Sequence, residues 1–235
     1  NDRGTFRLFN GNIDGAIADF RRVTALTPEG SRGYNNLGSA YYRKGDLENA
    51  ASAFRQALEV APTRSTYSNV GTMSYYLGRY EEAAQAYTEA IRLAPDDHRV
   101  WGHLGDANQQ IPGKGREMQE AYRKAISLAG AELLINESDA GKISLLAHYH
   151  ASLGDTARAT RLIGSALEDN PSDADVYYTA ALVYAQAGDI DAAVTAAETA
   201  IGQGYPDFLL AREPLLQSLR SNERFQKLIA AVSTR

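Results

Sequence analysis

One pattern of glycine, aromatic, alanine and proline residues returns along this chain, and it constrains the fold more than any other feature. The segment "NNLGSAYYRKGDLENAASAFRQALEVAP", residues 35–62, shows the pattern most completely. Its marker residues are Gly38, Tyr41, Gly45, Ala50, Phe54, Ala57 and Pro62. The marker Gly45 has counterparts at nearly equal intervals on both sides, at Gly11 before it and at Gly78 after it. A period of about 34 residues is typical of a repeat built from two helices joined by a turn.

Each copy of the pattern has the features of two short amphipathic helices. Apolar residues recur at helical spacing, as at Ala50 and Phe54. Gly45 suits the end of the first helix because glycine adopts the left-handed conformation of a helix C-cap without penalty. Asp46 can then cap the second helix, and Pro62 ends it. A single helix pair cannot bury its apolar face alone, so we expect successive pairs to stack.

The period and its marker residues resemble the tetratricopeptide repeat (TPR) family over essentially the whole chain, most specifically over residues 1–95. The resemblance implies an all-α fold, a right-handed superhelical solenoid of antiparallel helix pairs that ends in a C-terminal capping helix segment. We place the array at residues 1–206 and the capping helices at 207–235. The repeats are expected at about 1–29, 30–62, 63–96, 97–139, 140–172 and 173–206.

The fourth repeat departs from the pattern. The segment "IPGKGREM" stands where a tight glycine turn is expected, and the helix after it does not stop at the usual point. The interval from Gly113 to Gly154 is longer than the interval between the turn glycines of the earlier repeats. We expect a turn reshaped by Pro112, a longer second helix, and a bend or offset in the superhelix. The irregular repeat is either an insertion that the solenoid tolerates or a specialised ligand notch.

Residues 101–229 also resemble a narrower group, the C-terminal TPR segment of bacterial multidomain regulators that carry a Ser/Thr kinase, winged-helix or cyclase-type domain upstream. The motifs that carry this resemblance are Leu104-Gly105-Asp106, Pro112-Gly113, residues 121–126, Leu153-Gly154-Asp155, Gly204-Tyr205-Pro206, Pro214-Leu215, Leu219-Arg220 and Arg224-Phe225. Where that group has Asp-Pro twice, this chain has Glu213-Pro214 and Asn222-Glu223. The resemblance implies that the array is part of a larger bacterial regulatory protein, and we interpret the chain, which opens at Asn1, as a fragment or a processed form.

Composition limits the partners and the chemistry. The chain has 235 residues and no cysteine, which excludes disulfides and thiolate sites. Its net charge of −5 disfavours nucleic acid and anionic membranes as partners. No apolar run reaches the roughly 18–20 residues that span a bilayer, so we expect no direct membrane insertion. The compartment stays open between the cytoplasm and the periplasm of a bacterium.

The sequence contains no recognisable catalytic constellation, so we expect a protein that is not an enzyme and has no catalytic residue, cofactor or metal. The segment "PGKGRE", residues 112–117, contains the Gly-Lys of a Walker loop. However, Asn108 stands where that loop needs its first glycine, and Gly115 stands where it needs Ser or Thr. His148 and His150 are two residues apart, on different faces of a helix, which argues against a shared metal. We expect these histidines on the surface or along a groove.

The TPR resemblance places the binding surface on the concave face, mainly at positions 2, 5, 6, 9, 12 and 13 of each first helix. The peptide-binding candidates at these positions are Arg32, Asn35, Asn36, Tyr42, Asn69, Thr72, Tyr75, Tyr76, Arg99 and His103. Amides can donate to and accept from a peptide backbone, arginine can meet a carboxylate, and tyrosine offers stacking area. The alternative interpretation is that the asparagines are common in such helices and that the arginines are simply solvated.

The leading hypothesis is a non-enzymatic protein–protein interaction module that binds an extended peptide or a partner helix in the concave groove. The alternative is a structural spacer or a self-association platform, and hence a homo-oligomer, for an upstream catalytic domain. Capture of chaperone tails is not expected, because Tyr34 and Gly38 stand where the chaperone-binding TPR clamp has Lys and Asn.

Overall fold

The fold is all-α. The computed structural model describes residues 1–230, and the last part of the predicted capping segment, 231–235, lies outside the described residues. Within residues 1–230 there are helices and turns but no strand. The helices are α1 Asp2–Phe9, α2 Ile13–Leu26, α3 Ser31–Lys44, α4 Leu47–Val60, α5 Arg64–Tyr76, α6 Tyr80–Leu93, α7 His98–Gln109, α8 Gly115–Leu133, α9 Ala140–Ser152, α10 Thr156–Asp169, α11 Ala174–Ala187, α12 Ile190–Gly202, α13 Asp207–Leu210, the 3₁₀ helix Pro214–Leu219 and α14 Glu223–Ala230.

The chain divides into two compact units, unit 1 at Asn1–Asp96 and unit 2 at Asp97–Arg235. In unit 1, α1 to α6 pack in chain order, each helix against the next. In unit 2, α7 to α12 do the same, and α9 also packs against α11. Short turns between consecutive helices make them antiparallel. The predicted all-α fold of stacked antiparallel helix pairs is confirmed.

The two helices of each pair approach closely where a glycine faces an aromatic ring. In the pair α3–α4, a Cβ added to Gly38 would lie 2.7 Å from a ring carbon of Phe54. The same arrangement joins Gly71 to Tyr87 in the next pair. These rings are buried, so the glycine and the ring together form the centre of each pair. The marker residues Gly38 and Phe54 therefore lie at the contact between the two helices of their pair.

The turns between paired helices have the predicted chemistry. Gly45 ends α3 with a φ of 79°, a left-handed conformation. The side chain of Asp46 then accepts a hydrogen bond from the backbone N–H of Asn49, at 3.2 Å, and caps α4. Gly188 and Asp189 repeat this arrangement between α11 and α12.

The irregular fourth pair has a long second helix. Helix α8 has 19 residues and α4 has 14, a difference of more than one turn. A core cluster of buried residues, Tyr122, Ala125, Ala129, Leu146 and Tyr149, joins α8 to α9. The predicted lengthening of this helix is confirmed, while the predicted bend in the superhelix stays a prediction.

The C-terminal segment packs against α11 and α12. The ring of Tyr205 stacks on Tyr178 of α11 with ring centroids 4.3 Å apart. The Tyr178 hydroxyl donates to the carboxylate of Glu213 at 2.6 Å, and Glu213 is only 1% exposed. These contacts fix the start of the segment on the last helix pair.

Candidate functional site

The candidate residues on α3 differ in how far their side chains are buried and in whether they hydrogen-bond to other residues of the protein. Arg32 is exposed, while Asn35, Asn36 and Tyr42 are half-buried. The amide of Asn36 donates to the side-chain oxygen of Asn1 over 3.4 Å, a long and weak contact. The side-chain oxygen of Asn35 is buried and has no hydrogen-bond partner within residues 1–230.

The candidates on α5 are Asn69, Thr72, Tyr75 and Tyr76. Thr72 donates to the carbonyl of Ser68 and accepts from the hydroxyl of Tyr87 at 3.1 Å, which ties it to the interior. Tyr75 is 7% exposed and packs edge-on against the ring of Tyr76, with centroids 5.4 Å apart. Asn69 and Tyr76 are half-buried and keep accessible surface.

Helices α3 and α5 each carry a buried side-chain oxygen at the same position, a correspondence that residue type alone does not reveal. Asn35 and Ser68 occupy the same place, the fifth residue of α3 and the fifth residue of α5. The hydroxyl oxygen of Ser68 is also buried and has no partner in the described part of the chain. A buried polar atom without a hydrogen bond costs about 1–3 kcal/mol, so both side chains gain free energy from a new partner. We name the surface of Arg32, Asn35, Asn36, Tyr42, Ser68, Asn69 and Tyr76 the α3–α5 face.

The remaining candidates, Arg99 and His103, belong to unit 2. Arg99 is exposed, and its Nε donates to the carboxylate of Asp97 at 3.3 Å. His103 is exposed, with Nδ1 3.7 Å from a carboxylate oxygen of Asp106. Eight of the ten candidates therefore lie in unit 1, and unit 2 brings the other two near acidic groups.

Sequence reasoning missed a buried polar cluster in unit 2. Nε2 of His148 lies 2.7 Å from Oδ1 of Asp106, and the hydroxyl of Tyr122 donates to the same oxygen at 2.7 Å. The rings of Tyr122 and Tyr149 lie 5.9 Å from the imidazole of His148. His148 is 3% exposed and His150 is 8% exposed, so neither lies on the exposed surface, and the alternative that they lie along a groove stays a prediction.

The electrostatics of this cluster favour a charged Asp106. Burial alone would raise the pKa of Asp106, but the charge of His148 and the hydrogen bonds from His103 and His148 lower it far below its usual value. The signal that could have found the pair is positional. Asp106 is the ninth residue of α7 and His148 is the ninth residue of α9, and the ninth position is one of those from which the groove candidates are taken.

Metal sites and membrane-spanning helices are both absent from residues 1–230. No group of three or more histidines and acidic residues there could hold a metal ion. In the same range, none of the helices combines the length and the apolar character that a membrane-spanning helix requires.

Family models match most of the chain. The model described as "Tetratricopeptide repeat" matches residues 1–65 and 144–226, and the model described as "TPR repeat" matches residues 71–111. No curated protein matches the chain.

Solved structures share the fold at low identity. The APC/C hetero-tetramer Cut9–Hcn1 is 20% identical with a TM-score of 0.61, over 92% of this chain and 41% of that one. TTC0263, a thermophilic TPR protein of Thermus thermophilus, is 19% identical with a TM-score of 0.57, over 81% and 99% of the two chains. The pilF structure of Pseudomonas aeruginosa is 18% identical with a TM-score of 0.56, over 98% and 95%. At these identities the likeness concerns the fold.

Proposed function

Because the chain belongs to the tetratricopeptide repeat family, whose members are generally protein-interaction modules, we propose that it binds an extended segment of a partner protein along the α3–α5 face. The observation that carries this proposal is the pair of unpaired buried atoms at equivalent places, the oxygen of Asn35 and the hydroxyl of Ser68. Both residues are only half-buried, so rotation of their side chains can bring these atoms to the surface, where a peptide backbone offers an N–H or a C=O at every residue.

The chemistry of the α3–α5 face suits an extended chain. The side chains of Asn35 and Asn36 each carry donors and an acceptor, so they can bind a peptide backbone with little regard to its sequence. Arg32 is exposed at the start of α3 and can meet an acidic side chain of the ligand. Tyr42 and Tyr76 add half-exposed aromatic surface.

A peptide library displayed on phage and selected on the chain tests this proposal. The selected peptide is titrated by calorimetry into the parent chain and into the double variant Asn35→Ala with Ser68→Ala. We expect binding at least about tenfold weaker, because each lost hydrogen bond contributes on the order of 1 kcal/mol. The matched control is Gln56→Ala, an exposed side chain on α4. Equal affinity for all three proteins would overturn the assignment of the α3–α5 face.

One observation favours a second function, that of a self-association platform. Phe6 and Phe9 of α1 are 70% and 76% exposed, and large apolar side chains at such exposure mark interaction surfaces when they cluster. Light scattering over a concentration series separates the two functions, since self-association needs no ligand. Association that is lost in Phe6→Ser with Phe9→Ser supports the platform, and a monomer at all concentrations rejects it.

We also propose that the array is part of a larger bacterial regulatory protein, on the resemblance of residues 101–229. Tyr205, a residue of its motifs, stacks on Tyr178 of α11, and Glu213, which stands where that group has Asp, accepts the hydroxyl of Tyr178, so this segment is packed on the last helix pair. The gene that encodes the chain tests this proposal directly. An upstream kinase, winged-helix or cyclase-type domain would support it, and a gene without any of these would contradict it.

A further inference from the structure

A cleft of about 350 Å³ opens between α10, α11 and α12 of unit 2, and none of its lining residues belongs to the α3–α5 face. Its walls combine apolar, aromatic, hydroxyl and carboxylate groups, chiefly those of Leu167, Tyr177, Tyr184, Asp191, Thr195 and Thr199. Within residues 1–230, the carboxylate of Asp191 and the hydroxyls of Tyr177 and Tyr184 make no hydrogen bond or ion pair with another residue.

In unit 1, the space that corresponds to this cleft is occupied by an arginine side chain of the same chain. Tyr41 and Tyr184 are equivalent, because each stands four residues before the turn glycine of its repeat. The guanidinium carbon of Arg21 lies over the Tyr41 ring, 5.6 Å from its centroid, and Nη2 donates to the Tyr41 hydroxyl at 2.5 Å. Arginine over a tyrosine face is a favourable cation–π contact.

The next repeat fills its place with a second arginine. Arg55 is the counterpart of Arg21, because each stands seven residues before the proline that ends its repeat. Arg55 reaches from α4 to α6, where Nη2 and Nε donate to one carboxylate oxygen of Glu82 at 2.6 and 2.9 Å. One arginine therefore has a tyrosine as its partner, and the other has a carboxylate.

The cleft in unit 2 contains both kinds of partner but no arginine. The residue seven before Pro171, where Arg21 and Arg55 have their counterpart, is Gly164. A Cβ built on Gly164 has no neighbouring atom within 4 Å, so the space beside it is open. The neighbouring cation, Arg224 of α14, donates to Thr195 at 3.2 Å and to Glu198 at 2.5 Å, and it interacts with the charge of Asp191 only at longer range. Arg224 is not part of the lining of the cleft.

We infer that this cleft binds an arginine side chain supplied by a partner protein. The guanidinium takes the place over Tyr184 that Arg21 has over Tyr41, and it pairs with the carboxylate of Asp191. The bound arginine supplies donors to the Tyr184 hydroxyl and to Asp191, and its methylene groups cover Leu167. Glycine at position 164 leaves the site open to a residue from outside.

NMR titration of the ¹⁵N-labelled chain tests the inference with the peptide acetyl-Gly-Gly-Arg-Gly-Gly-amide as probe. Two matched peptides replace arginine by citrulline, which is neutral and nearly isosteric, or by norleucine, which is apolar. We expect the arginine peptide to shift the amide signals of Ala192 and Thr195 in a saturable way, at millimolar concentration. The citrulline and norleucine peptides should cause less than a third of that shift. Equal shifts with either control peptide, or no shift with arginine, would overturn the inference.

The substitution Gly164→Arg provides an independent test, because it supplies the missing arginine from within the chain. The control is Gly164→Ala, which gives the same gain in helix propensity without filling the cleft. We expect Gly164→Arg to abolish the shifts caused by the arginine peptide and to melt about 2 °C above Gly164→Ala. Gly164→Ala should bind the peptide like the parent chain. Peptide binding that survives in Gly164→Arg would contradict the assignment of the cleft.

Discussion

Nε2 of His148 lies 2.7 Å from Oδ1 of Asp106, although the two residues are far apart in the sequence. The pair joins α7 to α9, the first helices of two successive pairs. It is enclosed by the rings of Tyr122 and Tyr149, and His148 is almost fully buried. A buried hydrogen bond to a carboxylate is a demanding feature, because removing one partner leaves the other without compensation.

The substitution Asp106→Leu is expected to destabilise unit 2 by about 3 kcal/mol, because it leaves the buried His148 without its acceptor. Urea unfolding, monitored by the fluorescence of Trp101, measures this change in stability. Trp101 is the one tryptophan of the chain and packs against the core cluster of Tyr122 and Tyr149. The double variant with His148→Leu should lose less than the single variant, since it leaves no unpaired imidazole and the Tyr122 hydroxyl keeps Gln109 as an acceptor. The control is Lys124→Gln, an exposed change on α8, with a change below about 0.5 kcal/mol. A double variant as unstable as the sum of both single variants would show that the two side chains are not coupled.

Acidification should weaken unit 2 as the pH falls below about 6.5, the ordinary value of histidine. Burial lowers the pKa of His98 and of His150, so the unfolded chain binds protons before the folded one. The two neutral histidines make their full contribution to stability above the pKa that they have in the unfolded chain. That contribution is lost as the pH falls from there through the lower pKa that they have in the folded protein. The free energy of unfolding at pH 7.5 and 5.5, from the Trp101 signal, measures it.

The double variant His98→Gln with His150→Gln should show a smaller difference between the two pH values than the parent chain does. Lys124→Gln, an exposed change on α8, should leave the difference unchanged. A pH dependence that is the same in the parent and in the double variant would refute a role for these two histidines.

Gly38→Ala should destabilise unit 1 by about 1–3 kcal/mol, because the added Cβ would lie 2.7 Å from the buried ring of Phe54. The matched control is Gly130→Ala in α8, where a Cβ meets no atom within 4 Å. There the gain in helix propensity should stabilise the chain by up to about 1 kcal/mol. Thermal unfolding, monitored by circular dichroism, compares the melting temperatures of the two variants with that of the parent chain. If Gly38→Ala melts at or above the parent temperature, the close approach of α3 and α4 is not required.

Reversing the charge of Arg32 should weaken the binding of an acidic peptide to the α3–α5 face by roughly fivefold, about 1 kcal/mol for an exposed ion pair. The measurement is a calorimetric titration of the selected peptide into Arg32→Glu, at low and at high salt. The loss should shrink at high salt, because exposed charges are screened. Arg22→Glu, an exposed change on α2, is the control. A loss independent of salt would point to a packing role of Arg32.

The fold could be predicted closely because its determinants are local. The turn glycine Gly45, the cap Asp46 and the ring of Phe54 each act within one helix pair, so their spacing in the sequence carries the information. The lengthened α8 was visible in the same way, from the wider interval between Gly113 and Gly154.

The residues of the candidate site could be predicted only from their positions within the repeat. Contacts between residues of different helix pairs depend on how the pairs pack, which the repeat pattern does not specify. Residue type did not distinguish Tyr75, which is buried, from Tyr76, which is half-exposed. It also did not reveal that His148 meets Asp106, because the irregular fourth repeat changes the interval between α7 and α9. The open cleft beside Gly164 became visible only by comparison with Arg21 and Arg55, whose partners the structure shows.

Helices in both units pack chiefly against helices that are close to them in the chain. Interactions of short sequence separation form quickly and do not wait for distant segments. During synthesis, the pairs α1–α2 and α3–α4 can therefore pack while α7 has yet to leave the ribosome, and each later pair finds a finished surface to join. A protein assembled in this order leaves uncovered, at each moment of its translation, chiefly the apolar face of its most recent pair, which the next pair then covers.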